Sequence, residues 1–358
     1  MPRVISAALN REVLSYWLAI LLILWFVLLS ARFSLYLAQA VTGQLPASAV
    51  LILAGLKSIG FAVFVMPLAL FIALLMVLGR WNRDRESVAL AASGLGVNDY
   101  LRLLWPTLVL VTLLVFILTL FIVPETTRYG YQLRHQVSEA AVSKLWAAGR
   151  FVSLRNGELL LFADTRSEDG NTLNNVFVQT MHDKKQILLS AQQAVRHTDE
   201  KSGDRFIVLQ NGYRYDGLPG TVNYRILKFD QYGVRMDSPG ATAPFKWDAV
   251  TSRTLFNSGE SAAKAELQER LSRPLSVVIL VIAGTWLGRY IPGRGRYAGL
   301  FAGVLIFILY FNLLGVARTW VAKGEGFAGV GLWWVHLVPL ASVWLVDQWQ
   351  QRFRFWKE

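Results

Sequence analysis

The chain has 358 residues, of which 54% are hydrophobic and 17% are charged, and its formal net charge is +12 with no cysteine. A composition this apolar is typical of integral membrane proteins rather than of soluble domains. Sixteen of the 36 basic residues lie beside apolar stretches, and the polar block at residues 125–273 carries 20 basic and 17 acidic residues. This distribution argues against nucleic-acid binding.

Six uncharged apolar stretches flank a polar block of roughly 150 residues, three before it and three after it. They cover residues 13–31, 58–79, 103–124, 274–288, 297–317 and 326–346. A bilayer core needs about 20 apolar residues of helix. The fourth stretch is short, but residues 271–291 can span if Arg273 and Arg289 extend to the interfaces. The pattern predicts six transmembrane helices.

Basic residues mark one side of the predicted membrane part. Twelve of them flank alternate helices on that side: Arg3, Arg11, Arg80, Arg83, Arg85, Arg102, Arg289, Arg294, Arg296, Arg352, Arg354 and Lys357. The short loops on the other side carry Arg32, Lys57, Arg318 and Lys323. Because cytoplasmic loops are enriched in lysine and arginine, we expect both termini in the cytoplasm. Residues 1–124 and 271–358 then form the membrane part, and residues 125–270 form a domain outside it.

The outer domain begins with a helix-compatible stretch and then changes to a period of two. Strands are predicted at residues 151–154, 159–163, 175–181, 186–190, 205–210, 211–215, 224–229 and 233–236. An Asn-Gly pair at residues 156–157 predicts a hairpin turn between the first two strands. Many short strands with such spacing indicate an all-β sandwich, a jelly roll or an open barrel, followed by a helical approach to the fourth crossing.

No catalytic or metal-binding pattern stands out in the sequence. The three histidines of the outer domain, His135, His182 and His197, lack metal-ligand spacing. The chain contains no His-Glu-x-x-His, Gly-x-Ser-x-Gly or Walker A sequence. We therefore expect neither a hydrolase nor an ATPase.

The loop between the second and third apolar stretches contains a short helix-forming segment. It follows a charged run, begins near residue 86 and is expected to end at Gly94, where a glycine can stop a helix. Asn82 or Asp84 can cap its start, and carboxylates suit the first turn of a helix. A short amphipathic helix on the cytoplasmic face has the shape with which transporter subunits dock into an ATPase. An ordinary solvated loop is an equally good interpretation.

Several segments of the chain resemble the lipopolysaccharide export permeases, the LptF/LptG family, and most closely its LptF side. The resemblance extends over nearly the whole chain, through the arrangement of three helices, a β-domain and three helices. Local matches lie at residues 11–12, 37–46, 79–94, 211–220, 265–275 and 331–336, with Glu86 at the position of a characteristic glutamate. The loop at residues 286–296 departs from the family pattern.

The resemblance implies a membrane α-helical fold with an inserted periplasmic jelly roll, located in the bacterial inner membrane. It implies a permease subunit that extracts lipopolysaccharide and passes it to a periplasmic bridge. Its expected partners are an LptG-like second permease subunit, an LptB-like ATPase dimer, a membrane-anchored LptC-like protein and an LptA-like bridge. No cofactor is expected in this chain, because ATP and Mg would be used by the partner ATPase.

The resemblance also implies site residues. Arg83, Asp84, Arg85 and Glu86, within a coupling helix near residues 82–94, would contact the ATPase. Lipid contacts are expected at four aromatic residues and two arginines: Phe26, Phe33, Phe307, Phe311, Arg32 and Arg318. Each aromatic residue can instead be part of an ordinary packed or lipid-facing helix surface. The arginines can instead anchor helix ends at the interface, and so can His336.

Three other functions are compatible with the sequence. The chain could be the sibling LptG subunit, although residues 211–220 favour LptF. It could be a membrane-anchored periplasmic enzyme that modifies lipid, which would need a polar site facing the membrane. It could also be a mechanical signal transmitter that is coupled to an ATPase and transports nothing.

Overall fold

A computed structural model of the protein describes residues 2–41, 45–94, 96–145, 149, 151–154, 159–167, 171–182, 185–198, 205–217, 225–235, 246–290, 298–326 and 329–354. These residues fall into two compact units. The helical unit comprises Met1–Ala31, Gly55–Arg128 and Trp247–Glu358, and the β unit comprises Arg32–Ala54 and Tyr129–Lys246. Residues 291–296 of the divergent loop at residues 286–296 lie outside the described residues, and residues 286–290 belong to the last helix turns before them.

Helices account for most of the described chain. They are α1 (Pro2–Val41), α2 (Ala47–Arg83), α3 (Glu86–Ala92), α4 (Val97–Leu103), α5 (Trp105–Ile117), α6 (Val123–Leu145), α7 (Ser252–Asn257), α8 (Ser261–Tyr290), α9 (Ala298–Lys323) and α10 (Leu337–Arg354). A π-helical turn, Leu118–Ile122, joins α5 to α6, so that these three elements form one continuous helical run.

Five helices in the described part of the chain are long and apolar enough to cross a membrane. They are Arg3–Val41, Ala47–Arg83, Trp105–Val137, Ser261–Gly288 and Leu300–Lys323, and each contains one of the first five predicted stretches or most of it. The sixth stretch, residues 326–346, is divided between turns, a 3-10 turn at Trp333–His336 and the start of α10. A sixth crossing therefore stays a prediction.

Helix α2 is the centre of the helical unit. One apolar cluster joins it to α1, α5 and α8 through residues such as Trp17, Leu70, Val111 and Val277. A second cluster joins it to α8 and α9 around Phe71. Most of the apolar part of α2 is buried as a result, whereas most of that of α1 is exposed.

Glycines allow α8 and α9 to approach α2 closely. A Cβ on Gly284 would lie 3.0 Å from the ring of Phe71, and one on Gly288 would lie 2.9 Å from Leu78. These two glycines are spaced as Gly-x-x-x-Gly. Small residues at this spacing let membrane helices pack backbone to backbone.

The β unit contains a six-stranded antiparallel sheet in which every strand pairs with its sequence neighbours. The strands are β1 (Val152–Leu154), β2 (Leu159–Arg166), β3 (Thr172–His182), β4 (Lys185–Thr198), β5 (Arg205–Gly217) and β6 (Arg225–Arg235), in that spatial order. The predicted all-β character is confirmed. The described strands form a single meander, so the jelly-roll topology stays a prediction, and the predicted Asn-Gly turn lies outside the described residues.

One row of residues interrupts the pairing across the sheet. Five residues, one in each of strands β2 to β6, have no paired residue on the neighbouring strand, and they lie at the same level of the sheet: Asp164, Asn175, Gln192, Asn211 and Asp230. Asn175 and Asn211 have left-handed backbone conformations, with φ of 51° and 54°. On either side of the row the buried positions are three apart instead of two, as with Leu173 and Val176 in β3. Relative to strict alternation of buried and exposed side chains, each of strands β3, β4 and β5 has one extra residue at this level, while the pairing register is the same on both sides of it.

This extra residue explains one error of the sequence-based prediction. Residues 205–210 and 211–215 were predicted as two strands, but they form the single strand β5. Likewise, residues 224–229 and 233–236 belong to β6 as far as the described residues extend. The alternation of apolar and polar residues changes phase at the interrupted row, and a change of phase has the same pattern as a turn between two strands.

Gly212, directly after the interrupted row, is expected to tolerate no side chain. A Cβ there would collide with the backbone carbonyl oxygen of Ser190 and would lie 2.6 Å from the ring of Phe229. We expect Gly212→Ala to destabilise the β unit by about 1–3 kcal/mol, a typical cost of overpacking. Thermal unfolding of the purified protein measures this. Gly233→Ala in β6 is the matched control, because its Cβ would meet nothing within 4 Å. Equal stability of the two variants would contradict the close approach at Gly212.

Candidate functional site

The coupling segment, residues 82–94, contains the short helix α3. All seven residues of α3 are described, none of them is buried, and Val88 is 64% exposed. The predicted end at Gly94 is confirmed, since this glycine follows the helix with a φ of 89°. The predicted capping by Asn82 or Asp84 is wrong, because Arg85 occupies the N-cap position with a φ of 58° and no side-chain cap.

Asn82 instead connects the coupling segment to α8. Its side-chain amide donates a hydrogen bond to the backbone carbonyl of Gly288, and its side-chain oxygen accepts one from the hydroxyl of Ser87 in α3. Gly288 also packs closely against Leu78 of α2. The start of α3 is thereby held against two long helices, while its outer surface stays exposed.

Arg80, near the end of α2, connects the coupling segment to α1. Its Nε and Nη2 atoms donate to the two carboxylate oxygens of Glu12 at 2.7 and 2.8 Å. Its Nη1 atom lies 3.1 Å from Asp84 and 3.4 Å from Glu86. The indole nitrogen of Trp81 also donates to Glu12, at 3.0 Å. One guanidinium group thus contacts carboxylates of three elements of the chain.

Sequence reasoning did not assign a role in coupling to Arg80 or Glu12. In the sequence, Arg80 is one of the basic residues that indicate membrane orientation, and Glu12 belongs to a local match with the family. Their separation of 68 residues gives no sign of contact. The available signal was a pair of opposite charges at the same predicted membrane face, next to two apolar stretches.

Asn10 connects α1 to the junction between α4 and α5. Its side-chain amide donates 2.7 Å to the carbonyl of Leu103, and its side-chain oxygen accepts from the backbone N–H of Thr107 at 3.1 Å. Leu103 and Thr107 are four residues apart, so the amide replaces one helical hydrogen bond between them. Ser6 also donates to Leu103, at 2.8 Å. The N-terminal part of α1 is therefore hydrogen-bonded to backbone groups at the end of α4 and the start of α5.

The four predicted aromatic contacts do not form one surface. Phe26 is 58% exposed and Phe33 is 36% exposed, whereas Phe307 is only 6% exposed and belongs to the cluster around Phe71. Phe311 is partly buried, with its ring centroid 4.4 Å from that of Phe307. The structure thus brings Phe307 and Phe311 together in packing between helices.

The two predicted phosphate contacts also differ in their surroundings. Arg32 is exposed near the outer end of α1. Arg318 in α9 is engaged by two carboxylates of α8, with Nη2 at 2.9 Å from Glu266 and Nε at 2.6 Å from Glu269. Its guanidinium therefore holds α9 to α8.

Arg270 is the most extensively bonded side chain described in the helical unit. It is 3% exposed, and its Nε donates to Glu266 at 3.0 Å. Its other four N–H groups donate to a segment beside α8: the carbonyls of Trp247, Asp248 and Val250 and the hydroxyl of Ser252, at 2.9–3.1 Å. A guanidinium has five N–H donors, and all five are used here.

The segment held by Arg270 is bonded in turn to the π-helical turn. Ser252 donates to the carbonyl of Leu120 at 2.8 Å. A π-helical turn leaves carbonyl groups without their usual helical partners. Within the helical unit, the segment from Trp247 to Ser252 is therefore held both by α8 and by the π-helical turn.

His336 is buried, so its predicted role as an interfacial anchor is wrong. It is 4% exposed and lies between the hydroxyl of Tyr310, 2.7 Å from Nδ1, and that of Ser272, 3.1 Å from Nε2. These three residues belong to different helical segments. The arrangement satisfies a polar side chain inside the helix packing.

In the β unit, the described part of the motif at residues 211–220 contains an ion pair on β5. Arg214 Nε lies 2.7 Å from Asp216, and its Nη1 donates to the hydroxyl of Tyr232 on β6 at 2.8 Å. The hydrogen bond that Arg214 donates to the Asp216 carboxylate raises the pKa of Arg214. Residues 218–220 of the motif lie outside the described residues.

Comparison with known proteins identifies the family. The model of the family described as the lipopolysaccharide export system permease LptF/LptG matches residues 8–347. The chain belongs to the LptF/LptG family. It is similar to the lipopolysaccharide export system permease protein LptF of Escherichia coli strain K12, with 26% identity over 349 residues, 97% of this chain and 95% of that protein. LptF of Shigella flexneri matches to the same extent.

Membership of the LptF/LptG family confirms the main functional prediction. The chain is a lipopolysaccharide export permease, and such a permease is a transporter subunit rather than an enzyme. The family therefore does not support the alternative of a lipid-modifying enzyme. The similar proteins carry the name LptF, which favours the LptF side over LptG.

Proposed function

We propose that this chain is the LptF-side permease subunit of an ATP-driven complex in the bacterial inner membrane. The complex extracts lipopolysaccharide from that membrane and passes it to a periplasmic bridge. The family assignment supports this proposal for the whole chain. Its partners are an LptG-like subunit, an LptB-like ATPase dimer that uses ATP and Mg, an LptC-like anchored protein and an LptA-like bridge.

Within the membrane, the termini and the coupling segment face the cytoplasm, and the sheet faces the periplasm. The distribution of basic residues supports this orientation, since twelve lie on the proposed cytoplasmic side and four on the other. In this orientation Arg83, Asp84, Arg85 and Glu86 are accessible to a cytoplasmic protein.

The exposed helix α3 is the single observation that carries the coupling role. A helix of seven residues is marginal in isolation. Yet α3 buries no residue and exposes Val88 next to the charged side chains of Asp84 and Glu86. Its attachment through Asn82 to α8 supports a rigid contact that can receive force from a docked ATPase.

For the lipid, the proposal assigns different roles to the predicted residues. Phe26, Phe33 and Arg32 are exposed on α1 and are proposed to contact lipopolysaccharide directly. Phe307 and Phe311 support α9 from inside, and Arg318 reaches a phosphate only by exchanging it for Glu266 or Glu269. Moving acyl chains is costly, because each buried CH₂ contributes about 0.8 kcal/mol. Extraction therefore requires both an apolar receiving surface and ATP.

Affinity purification of the tagged chain in mild detergent tests the proposal, with mass spectrometry of the proteins and lipids that co-purify. We expect an ABC-type ATPase, a second permease subunit and lipopolysaccharide. Intact protein that carries neither ATPase nor lipopolysaccharide would contradict the proposal. An ATPase that co-purifies without lipopolysaccharide, together with a β unit to which no lipid can be photocrosslinked, would instead support the mechanical transmitter.

Replacing Glu86 tests the coupling role of α3. We expect Glu86→Ala to leave the stability of the chain within about 0.5 kcal/mol, since an exposed carboxylate contributes little to folding. Lipopolysaccharide export, measured as lipid released from reconstituted complex, should fall about tenfold or more, as for loss of a typical coupling between sites. Glu125→Ala is a matched control, because Glu125 is equally exposed and pairs with Arg128 in α6. Normal export by the Glu86 variant would remove the coupling assignment.

A further inference from the structure

We infer that Arg80 is a positioning residue that transmits movement of the coupling segment to α1. This inference rests on the proposed function, because it requires an ATPase docked on α3. The geometry that carries it is one guanidinium shared between Glu12 in α1 and two carboxylates of the coupling segment, Asp84 and Glu86.

The two sides of the guanidinium have separate partners. Nε and Nη2 form a two-point contact with Glu12, and Nη1 is left for Asp84 and Glu86. A planar guanidinium fixes the angle between these two sides. A shift of Glu86 or Asp84 therefore displaces Glu12 as well, whereas an ammonium group would let each partner move independently.

Glu12 is a suitable point at which to move α1. It is held by Arg80 and by Trp81, whose side chain is buried. Asn10, two residues earlier, is bonded to the α4–α5 junction at Leu103 and Thr107. Movement at Glu12 therefore acts on α1 beside a fixed attachment.

One face of the outer half of α1 is exposed. Ile23, Phe26 and Val27 on it are 63%, 58% and 61% exposed. The opposite face packs on the cluster around α2 through Leu24 and Leu28, and Trp25 donates to the carbonyl of Ser58 at 2.9 Å. A rotation at the inner end of α1 therefore changes the direction in which this exposed face points.

The shared guanidinium also gives the direction of the effect. Asp84, Glu86 and Glu12 all contact Arg80. A basic surface on a docked ATPase would draw Glu86 toward itself. Arg80 would follow and would shift Glu12 in the same direction, and release of the ATPase would reverse the shift.

Arg80→Lys tests this link in the complete complex, reconstituted with the second permease subunit and the ATPase in lipid nanodiscs that contain lipopolysaccharide. The variant keeps the charge and loses the two-sided contact. We expect ATP hydrolysis within about twofold of wild type and lipid extraction reduced about tenfold, as for loss of a typical coupling between sites. Arg102→Lys is the matched control, since Arg102 is 83% exposed and pairs only loosely with Asp99, at 3.5 Å. The control should match wild type in both assays.

A distance measurement separates transmission from mere stability. Because the chain has no cysteine, spin labels can be attached at single introduced cysteines in place of Val27 in α1 and Ile308 in α9. We expect nucleotide to change the distance between the labels in wild type and in Arg102→Lys, but not in Arg80→Lys. Glu12→Gln should behave as Arg80→Lys does, and combining them should be no worse than either alone, since both break one link.

The outcomes distinguish this inference from the proposed function. Arg80→Lys with normal extraction and a normal nucleotide-dependent distance change, in a complex that exports lipid, would overturn the link and leave the function standing. A wild-type chain that binds no ATPase would overturn both. Arg80→Ala removes the charge as well as the contacts and can prevent assembly with the second subunit and the ATPase. The test of the link therefore uses Arg80→Lys and Glu12→Gln.

Discussion

Replacing Arg270 with methionine is expected to lower the free energy of unfolding of the helical unit by about 3–5 kcal/mol, the usual cost of removing one partner of a buried ion pair. The loss leaves Glu266 with only its contact to Arg318 and leaves three backbone carbonyls and one hydroxyl without their donor. Each unpaired buried polar group adds to the cost. Thermal unfolding in detergent, followed by tryptophan fluorescence, measures the change.

Arg273→Met is the matched control for this prediction. Arg273 lies one turn further along α8 and pairs with Glu269, but it is 27% exposed. A half-exposed ion pair contributes about 0–1 kcal/mol. Arg270→Lys should be nearly as damaging as Arg270→Met, because an ammonium group cannot supply five donors in a plane. Equal, small effects of the variants at residues 270 and 273 would contradict the structural role of Arg270.

Asn10→Leu is expected to destabilise the helical unit by about 2–4 kcal/mol, since each buried backbone group left unpaired costs about 1–3 kcal/mol. The substitution removes the acceptor of the Thr107 N–H and one of the two donors to the Leu103 carbonyl. Leucine has a similar volume and suits the apolar surroundings. The loss should therefore come from hydrogen bonding rather than from packing. Unfolding in detergent again supplies the measurement.

Asn312→Leu provides the comparison for Asn10. Asn312 is also an asparagine in a long apolar helix, but it is exposed and its amide donates only to Ile308 within its own helix, at 2.7 Å. We expect a change within about 0.5 kcal/mol there. An equally small loss of stability in Asn10→Leu would contradict this prediction. It would mean that the Leu103 carbonyl and the Thr107 N–H bond directly to each other without Asn10, and that the contact between α1 and the α4–α5 junction does not stabilise the unit.

The sequence predicted five long helices well because length and hydrophobicity dominate that signal. A run of about 20 apolar residues has few alternatives to a membrane helix. The end of α3 at Gly94 was also predictable, since it depends on one local glycine. The sixth predicted segment is not one continuous helix in the structure, because its first part forms turns around Gly331 and a 3-10 turn, and a regular helix begins only at Leu337.

The strand boundaries in β5 and β6 failed because the prediction assumed a constant period. The extra residue at Asn211 changes the phase of the alternation between buried and exposed positions, so that Leu209 and Gly212, three residues apart, are both buried. The pattern can be recognised only when neighbouring strands show the same change at the same level. Asn175 provides that second instance in β3.

The contacts of the candidate site were the least predictable part. Family resemblance indicated Glu86, but not its partner Arg80 or the partner's second contact in α1. Asn10 and Leu103 are 93 residues apart, and Arg318 and Glu266 are 52 apart. Such pairs depend on how helices are arranged in space, and no local periodicity encodes that arrangement. Arg318 illustrates the consequence, because its sequence position suggested a phosphate contact and the structure pairs it with two glutamates.

The interrupted row across the sheet also limits aggregation. An open sheet edge can template pairing with another copy of the same chain when it presents a long straight run of backbone groups. In β6 the row at Asp230 divides the edge into two runs, 225–229 and 231–235, and β1 at the opposite edge covers only Val152–Leu154. Neither edge offers a straight template longer than five residues in these strands. The interrupted row therefore shortens the straight backbone runs through which described strands could pair with another copy of the chain.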